Sequence, residues 1–214
     1  KPAPKGMLTA ATDLGRLVEG LAPYGLAKPR SACPSCGHRI TWYENIPVLS
    51  WLWLRGRCSA CKTPISARYP FVELLTGILF AAAAWRFGAQ PVTLLWCGVL
   101  ATLVALAAID WDTTLLPDSL TLPLLWVGLA SAAMGWTVPL PVALWGAMAG
   151  YLSLWSIYWL FKKATGKEGM GFGDFKLLAA LGAWLGWQAI LPIVLMASVI
   201  GAVVGITMKF TRGL

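Results

Sequence analysis

The stretch Pro91-Val-Thr-Leu-Leu-Trp-Cys-Gly-Val-Leu-Ala-Thr-Leu-Val-Ala-Leu-Ala-Ala-Ile-Asp110 decides what kind of molecule this is. No charged side chain interrupts it until Asp110 ends the run. A helix needs about 20 mostly apolar residues to cross the hydrocarbon core of a bilayer, and this segment has that length. Five more segments read the same way: Phe71 to Arg86, Ser119 to Trp136, Val138 to Phe161, Phe175 to Trp187 and Gln188 to Met208. The segment from Phe175 is short, and its joint to the one after it is tight. The expected fold is therefore an all-α polytopic membrane protein with about six transmembrane helices in this chain.

Composition agrees. The 214 residues are 58% hydrophobic and 12% charged, with a mean hydropathy of +0.69. Soluble domains carry about a quarter charged residues. The charges that remain are unevenly placed, because ten of the 17 Lys and Arg residues precede Phe71. Residues 1–70 thus read as a basic, water-facing domain and residues 71–214 as the membrane domain. A net charge of +8 raises the question of nucleic acid. Basic residues beside hydrophobic spans instead set topology and meet anionic lipid, so membrane lipid is the expected partner and nucleic acid is not. The stretch Lys1 to Arg30 lacks the continuous apolar core of a cleavable signal peptide. No internal repeat or low-complexity tract is evident.

The excess of Lys and Arg on cytoplasmic loops orients such a chain. With the basic domain cytoplasmic and the spans alternating, three further parts fall on that side. These are the loop Asp110 to Asp118, the segment Lys162 to Asp174 with its three lysines, and the tail with Lys209 and Arg212. The outer connections carry only Arg86. The Asp110 loop, without Lys or Arg, is neutral on the question.

Two Cys-x-x-Cys pairs, Cys33-Pro-Ser-Cys36 and Cys58-Ser-Ala-Cys61, stand 21 residues apart. Four thiolates suit a tetrahedral ion, and Zn²⁺ is its usual occupant in a reducing compartment. The alternative is a pair of disulfides, which a cytoplasmic location opposes. His38 follows the first pair, where four cysteines already complete the shell. Cys97, inside an apolar span, reads as a small buried side chain.

Of nine acidic residues, Glu73, Asp110, Asp112, Asp118 and Asp174 lie at or inside the membrane region. Carboxylates at membrane depth are costly and mark function by default. Asp110 follows the apolar run from Leu100, which makes it the more desolvated candidate and the better proton holder. Asp174 closes Gly169-Met-Gly-Phe-Gly-Asp174 at a helix start, where the helix dipole favours an anion. On the topology above both lie at cytoplasmic helix ends. Two carboxylates in contact divide into a proton holder and a base, the division that aspartic peptidases use. Other readings stay open: a helix N-cap for Asp174, a turn residue for Asp118 after Pro117, and a proton path in a zinc-stapled, proton-coupled membrane transporter or scaffold. A transporter predicts acids spread through the membrane, whereas these gather at one face.

Taken together the motif blocks resemble the prepilin peptidase family. Its zinc-binding stretch is echoed by Cys33-Pro-Ser-Cys36-Gly-His, Trp42-Tyr-Glu-Asn-Ile-Pro-Val-Leu-Ser-Trp51, Arg55-Gly-Arg-Cys58 and Arg68-Tyr-Pro-Phe-Val-Glu73. Its first catalytic block is echoed by Ile109-Asp-Trp-Asp-Thr-Thr-Leu-Leu-Pro-Asp118, and its GxGD block by Gly171-Phe-Gly-Asp174 with Phe175 and Lys176 following. The similarity runs from about Pro29 to about Gly205. It implies an intramembrane-type aspartic endopeptidase of a bacterial inner membrane. Such an enzyme removes a short basic leader from type IV prepilins or pseudopilins, and many members then methylate the new amine with S-adenosylmethionine. Carried across, Asp110 and Asp174 are the catalytic pair, while Asp112 and Asp118 match family acids outside it. Asp112, Asp118 and Glu44 are expected to offer an attractive surface to a basic leader. The family also has a hydrophobic helix before the zinc domain and an apolar segment after the last span, and this sequence shows neither. No glycine-rich nucleotide loop of the soluble methyltransferase kind is present.

Overall fold

The structure is a computed structural model that describes residues 30–167 and 169–212. The stretch before Arg30 lies outside the described residues. The chain divides into two compact units between Leu75 and Thr76. Among the described residues no β-strand forms. The described residues of the first unit include a short helix, α1 (Leu49–Trp53), and two isolated β-bridges, Ala32 to Arg39 and Arg57 to Pro64.

Six longer helices follow: α2 (Arg68–Phe87), α3 (Pro91–Thr113), α4 (Asp118–Ala133), α5 (Leu140–Thr165), α6 (Phe172–Leu185) and α7 (Ile190–Arg212). A single 3₁₀ turn, Trp187–Ala189, joins the last two. These are the six segments expected from hydropathy, each shifted by a few residues at its ends. Four are long and apolar enough to cross a bilayer: Arg68–Phe87, Pro91–Thr113, Leu140–Thr165 and Trp187–Phe210. The other two are shorter, with 16 residues in α4 and 14 in α6. At helical rise these reach about 24 Å and 21 Å against a hydrocarbon core of about 30 Å. The protein is a multi-pass membrane protein. An apolar flank like that of α7, where Leu191, Leu195, Met196, Val199, Ile200 and Val203 are all exposed, belongs in lipid.

The core of the second unit forms around α6. Phe175, Ala180, Ala183 and Trp184 are essentially fully buried. On one side α6 packs against α5, where glycines let the backbones touch. A Cβ on Gly146 would run into the Gly182 carbonyl, a Cβ on Gly182 into the Gly146 carbonyl, and a Cβ on Gly150 into the Leu178 carbonyl. Gly146 and Gly150 form a small-xxx-small pair of the kind that draws membrane helices together by close van der Waals contact. On the other side Trp184 lies over Gly128 of α4 and donates its indole N–H to the Leu124 carbonyl at 2.8 Å. The two fully buried hydroxyls of α4 close onto nearby carbonyls: Thr121 onto Pro117 and Ser131 onto Gly128.

This packing yields a stability test. Gly182→Val should cost more than the ~1–3 kcal/mol usual for overpacking, because the obstruction is backbone, and should show as a lowered thermal unfolding midpoint in detergent. Gly201→Ala and Gly205→Ala, in open surroundings on α7, should be neutral or slightly stabilising.

Candidate active site and metal centre

Two short turns bring the acidic residues to one place. Helix α3 closes at Thr114, whose left-handed backbone (φ 55°) lets its N–H reach the Asp110 carbonyl at 2.7 Å. The Thr113 hydroxyl donates to the Ile109 carbonyl (2.8 Å) and accepts the Leu115 N–H (3.3 Å). Pro117, extended, then caps α4, so the chain reverses within Thr114–Pro117. On the facing segment Gly171 caps α6 and Asp174 is the third helical residue, its carboxylate facing the Gly171 backbone N–H. That is the reach-back half of a capping box. Between them, Gly173 has no side chain to keep the turn away. A Cβ there would come within 2.7 Å of Leu116 Cβ.

The result is an open cleft of about 570 Å³ whose lining includes Asp110, Thr113, Leu116, Asp118, Asp174 and Lys176. Asp110 and Asp174 therefore face one space. Asp118 does not share their situation. The Lys176 ammonium donates to both of its carboxylate oxygens, at 2.6 and 2.7 Å. The two readings left open for single acids change as well. The N-cap of α6 is Gly171 rather than Asp174, and Asp118 is the first residue of α4. Burial also falls differently from the expectation. Asp110 is exposed and Asp174 half-buried, because α6 enters the core while the end of α3 emerges from it.

Two further acids, Glu73 and Glu44, have structural work in the first unit. Glu73 accepts the Val48 backbone N–H at 2.8 Å, serving the start of α1, where Val48 itself has a positive φ of 58°. Glu44 accepts both the backbone N–H and the hydroxyl of Thr41 at 2.8 Å, and His38 Nε2 lies 3.5 Å from it. The Ser59 hydroxyl, then the Thr41 groups, hold its carboxyl down at about 2. Glu44 and Asp118 are thus occupied, and the expected acidic surface for a basic leader loses two of its three members.

The cysteines assemble as their spacing predicts. All four Sγ atoms of Cys33, Cys36, Cys58 and Cys61 lie within 4.8 Å of one another and could hold a metal ion. The pairs Cys33–Cys61 and Cys36–Cys58 stand at 3.8 and 4.0 Å. A tetrahedron of thiolates about 2.3 Å from a central ion has edges of about 3.8 Å, so the knot fits such an ion and is too open for disulfides. Thiols this close do not ionise alike without a cation. The Thr63 hydroxyl draws Cys61 down to about 6. The His38 backbone amide lowers Cys36, yet the neighbouring thiols, Cys61 foremost, push it up to about 11.

A local repeat also emerges that sequence inspection missed. Cys33 N–H to His38 carbonyl, Gly37 N–H to Cys33 carbonyl and Ile40 N–H to Ser31 carbonyl recur as Cys58 to Thr63, Lys62 to Cys58 and Ile65 to Gly56. The only sequence trace of it is Cys-x-x-Cys-x-x-x-Ile, at Cys33 to Ile40 and Cys58 to Ile65.

A family model described as Type IV leader peptidase family matches residues 95–206, and one described as Bacterial Peptidase A24 N-terminal domain matches residues 14–87. The chain belongs to the type IV leader peptidase family. The leader peptidase match contains Asp110, Asp118, Asp174 and Lys176, and the N-terminal match contains all four clustered cysteines. Among its relatives is a protein named prepilin leader peptidase/N-methyltransferase from Aeromonas hydrophila, 60% identical over 89% of this chain and 66% of the relative. Proteins of the same name from Stutzerimonas stutzeri and Pseudomonas aeruginosa are 56% and 53% identical, over 87% and 89% of this chain and 65% and 66% of theirs. The chain thus spans just under two thirds of the length of these curated relatives. No solved structure matches it.

The metal centre makes a direct prediction. Purified protein should carry about one tetrahedrally bound metal ion per chain by elemental analysis, given four thiolates for one site. Cys58→Ser, which removes the buried member of the cluster, should abolish that content.

Proposed function

We propose that this chain is the peptidase core of an aspartic endopeptidase that cleaves the leader from type IV prepilins or pseudopilins, with Asp110 and Asp174 as its catalytic pair. The observation that carries this reading is the shared cleft. Two carboxylates from different helices face it, while the third acid, Asp118, is neutralised by Lys176. Like charges so placed hold one proton between them. The ionised carboxylate takes a proton from a water in the cleft, and the resulting hydroxide adds to the scissile carbonyl. The protonated partner hydrogen-bonds the carbonyl oxygen as it gains charge, and a proton passes to the departing amine as the C–N bond breaks. The gathering of these acids at one end of the bundle supports hydrolysis over a transport path, which needs acids at successive depths.

The four-cysteine ion is Zn²⁺ in this reading. It cross-links a unit that has little apolar core of its own, and it takes no part in the cleavage. N-methylation of the new amine, with S-adenosylmethionine as donor, follows the relatives' printed name. No described residue is assigned to that step. The cleft opens on the cytoplasmic side of the bacterial inner membrane, where Lys162, Lys163 and Lys167 end and follow α5.

Mass spectrometry of a model prepilin after incubation tests the chemistry. The expected products are a shortened chain and, with S-adenosylmethionine added, one carrying a methyl group. Asp110→Asn, Asp174→Asn and the double variant should fall to a similar floor, since members of one catalytic unit are not additive. Normal cleavage by Asp110→Asn would end the dyad reading. Sidedness has its own test. Single cysteines introduced at Thr114 or Gly169, in a Cys97→Ser background, should react with an impermeant maleimide in inverted vesicles. Reaction in sealed intact cells would place the cleft on the other face.

A further inference from the structure

Two carboxylates that share a cleft repel each other whenever both are charged, and here they sit on segments far apart in sequence. Something must hold the end of α3 against the start of α6. The Leu116 contact with Gly173 is one tether, and it is only van der Waals contact. The second is ionic: Lys176, in the second turn of α6, grips Asp118, the first residue of α4, through both carboxylate oxygens. Both tethers act at the far end of one turn, Thr114–Pro117, one on Leu116 within it and one on Asp118 just after it. The Thr114 N–H to Asp110 carbonyl bond carries its placement back to Asp110.

Helix geometry shows which carboxylate Lys176 serves. Two residues along an α-helix is about 200° around its axis, so Lys176 projects away from Asp174, although it follows it in the same motif. Its ammonium goes to Asp118 instead. Both side chains are partly exposed, at 29% and 53%, and an ion pair of that kind adds little to stability. Its effect lies in geometry, since an ammonium held between both oxygens fixes the separation of the two segments.

We propose that Lys176 is a positioning residue of the cleavage reaction: by clasping Asp118 it locks the Thr114–Pro117 turn onto the start of α6 and thereby sets the approach of Asp110 to Asp174. This rests on the peptidase reading above. The clasp acts on the reacting groups through the turn and touches no reacting atom, so its loss should slow the chemical step and leave substrate binding intact. Misplacing a catalytic group by about 1 Å costs up to about 100-fold in rate.

The test uses the full chain in lipid nanodiscs, with steady-state kinetics on a model prepilin. Hydrogen exchange at the Thr114 and Leu115 amides, bonded to the Asp110 carbonyl and the Thr113 hydroxyl, provides a measure of the turn that needs no activity. Lys176→Met should lower kcat about 10- to 100-fold with KM unchanged, and should speed exchange at both amides. Lys176→Arg should keep both properties. The exchanged pair Asp118→Lys with Lys176→Asp should recover slow exchange and part of kcat, which guards against a Lys176→Met protein that merely folds badly. Wild-type kcat and exchange in Lys176→Met would overturn the clasp. A raised KM at unchanged kcat would also overturn it, since that is the mark of a lysine that binds substrate. If the wild-type chain cleaves no prepilin, the peptidase reading fails, and unchanged exchange in Lys176→Met would then separately sink the clasp.

Discussion

Where α5 and α6 cross, the carbonyl of Gly182 occupies the space that a side chain on Gly146 would fill, and the reverse holds for Gly146 and Gly182. Between apolar helices in lipid there is no hydrophobic drive to associate, so contact of this closeness is the main attraction available. The candidate site depends on it. Helix α6 is only 14 residues long and cannot hold its position by length. Pressed between α5 and α4, with Trp184 seated over Gly128, it presents its first turn to the end of α3. Gly173 then admits Leu116, and Asp174 comes to face the same cleft as Asp110. Glycines thus act at two levels here, in helix packing and in the approach of the turn.

A membrane protein with few charges must account for each one, and the acids here divide by what meets them. Glu73 and Glu44 satisfy backbone and hydroxyl donors in the first unit. Asp118 has an ammonium. Asp110 and Asp174 face a cleft and each other. That sorting separates the pair proposed to react from acids that serve the fold, and it could not be made from residue type alone. The buried hydroxyls of Thr121 and Ser131 follow the same rule, returning to nearby carbonyls.

The first unit solves a different problem. It has little apolar interior, and its backbone turns twice through the same knuckle, once at Cys33–Ile40 and again at Cys58–Ile65. Each turn needs a positive φ after its second cysteine, at Gly37 and at Lys62. A lysine held in that conformation argues that the turn is imposed by what its cysteines bind. Sulfur spacings near those of a thiolate tetrahedron agree with this.

The apolar runs determined that this is an all-α membrane chain and where its helices lie, because hydropathy and length are local properties and a bilayer leaves few alternatives. The four cysteines and the Gly171-Phe-Gly-Asp174 block were equally legible, since motif spacing reports local geometry. Sequence could not show that Lys176 belongs to Asp118, that Gly146 meets Gly182, or that Asp174 is more buried than Asp110. Each of these depends on side chains or backbones from different helices meeting at a particular rotation and depth. Rotation and depth are set by packing across the bundle, and only the tertiary structure carries that information.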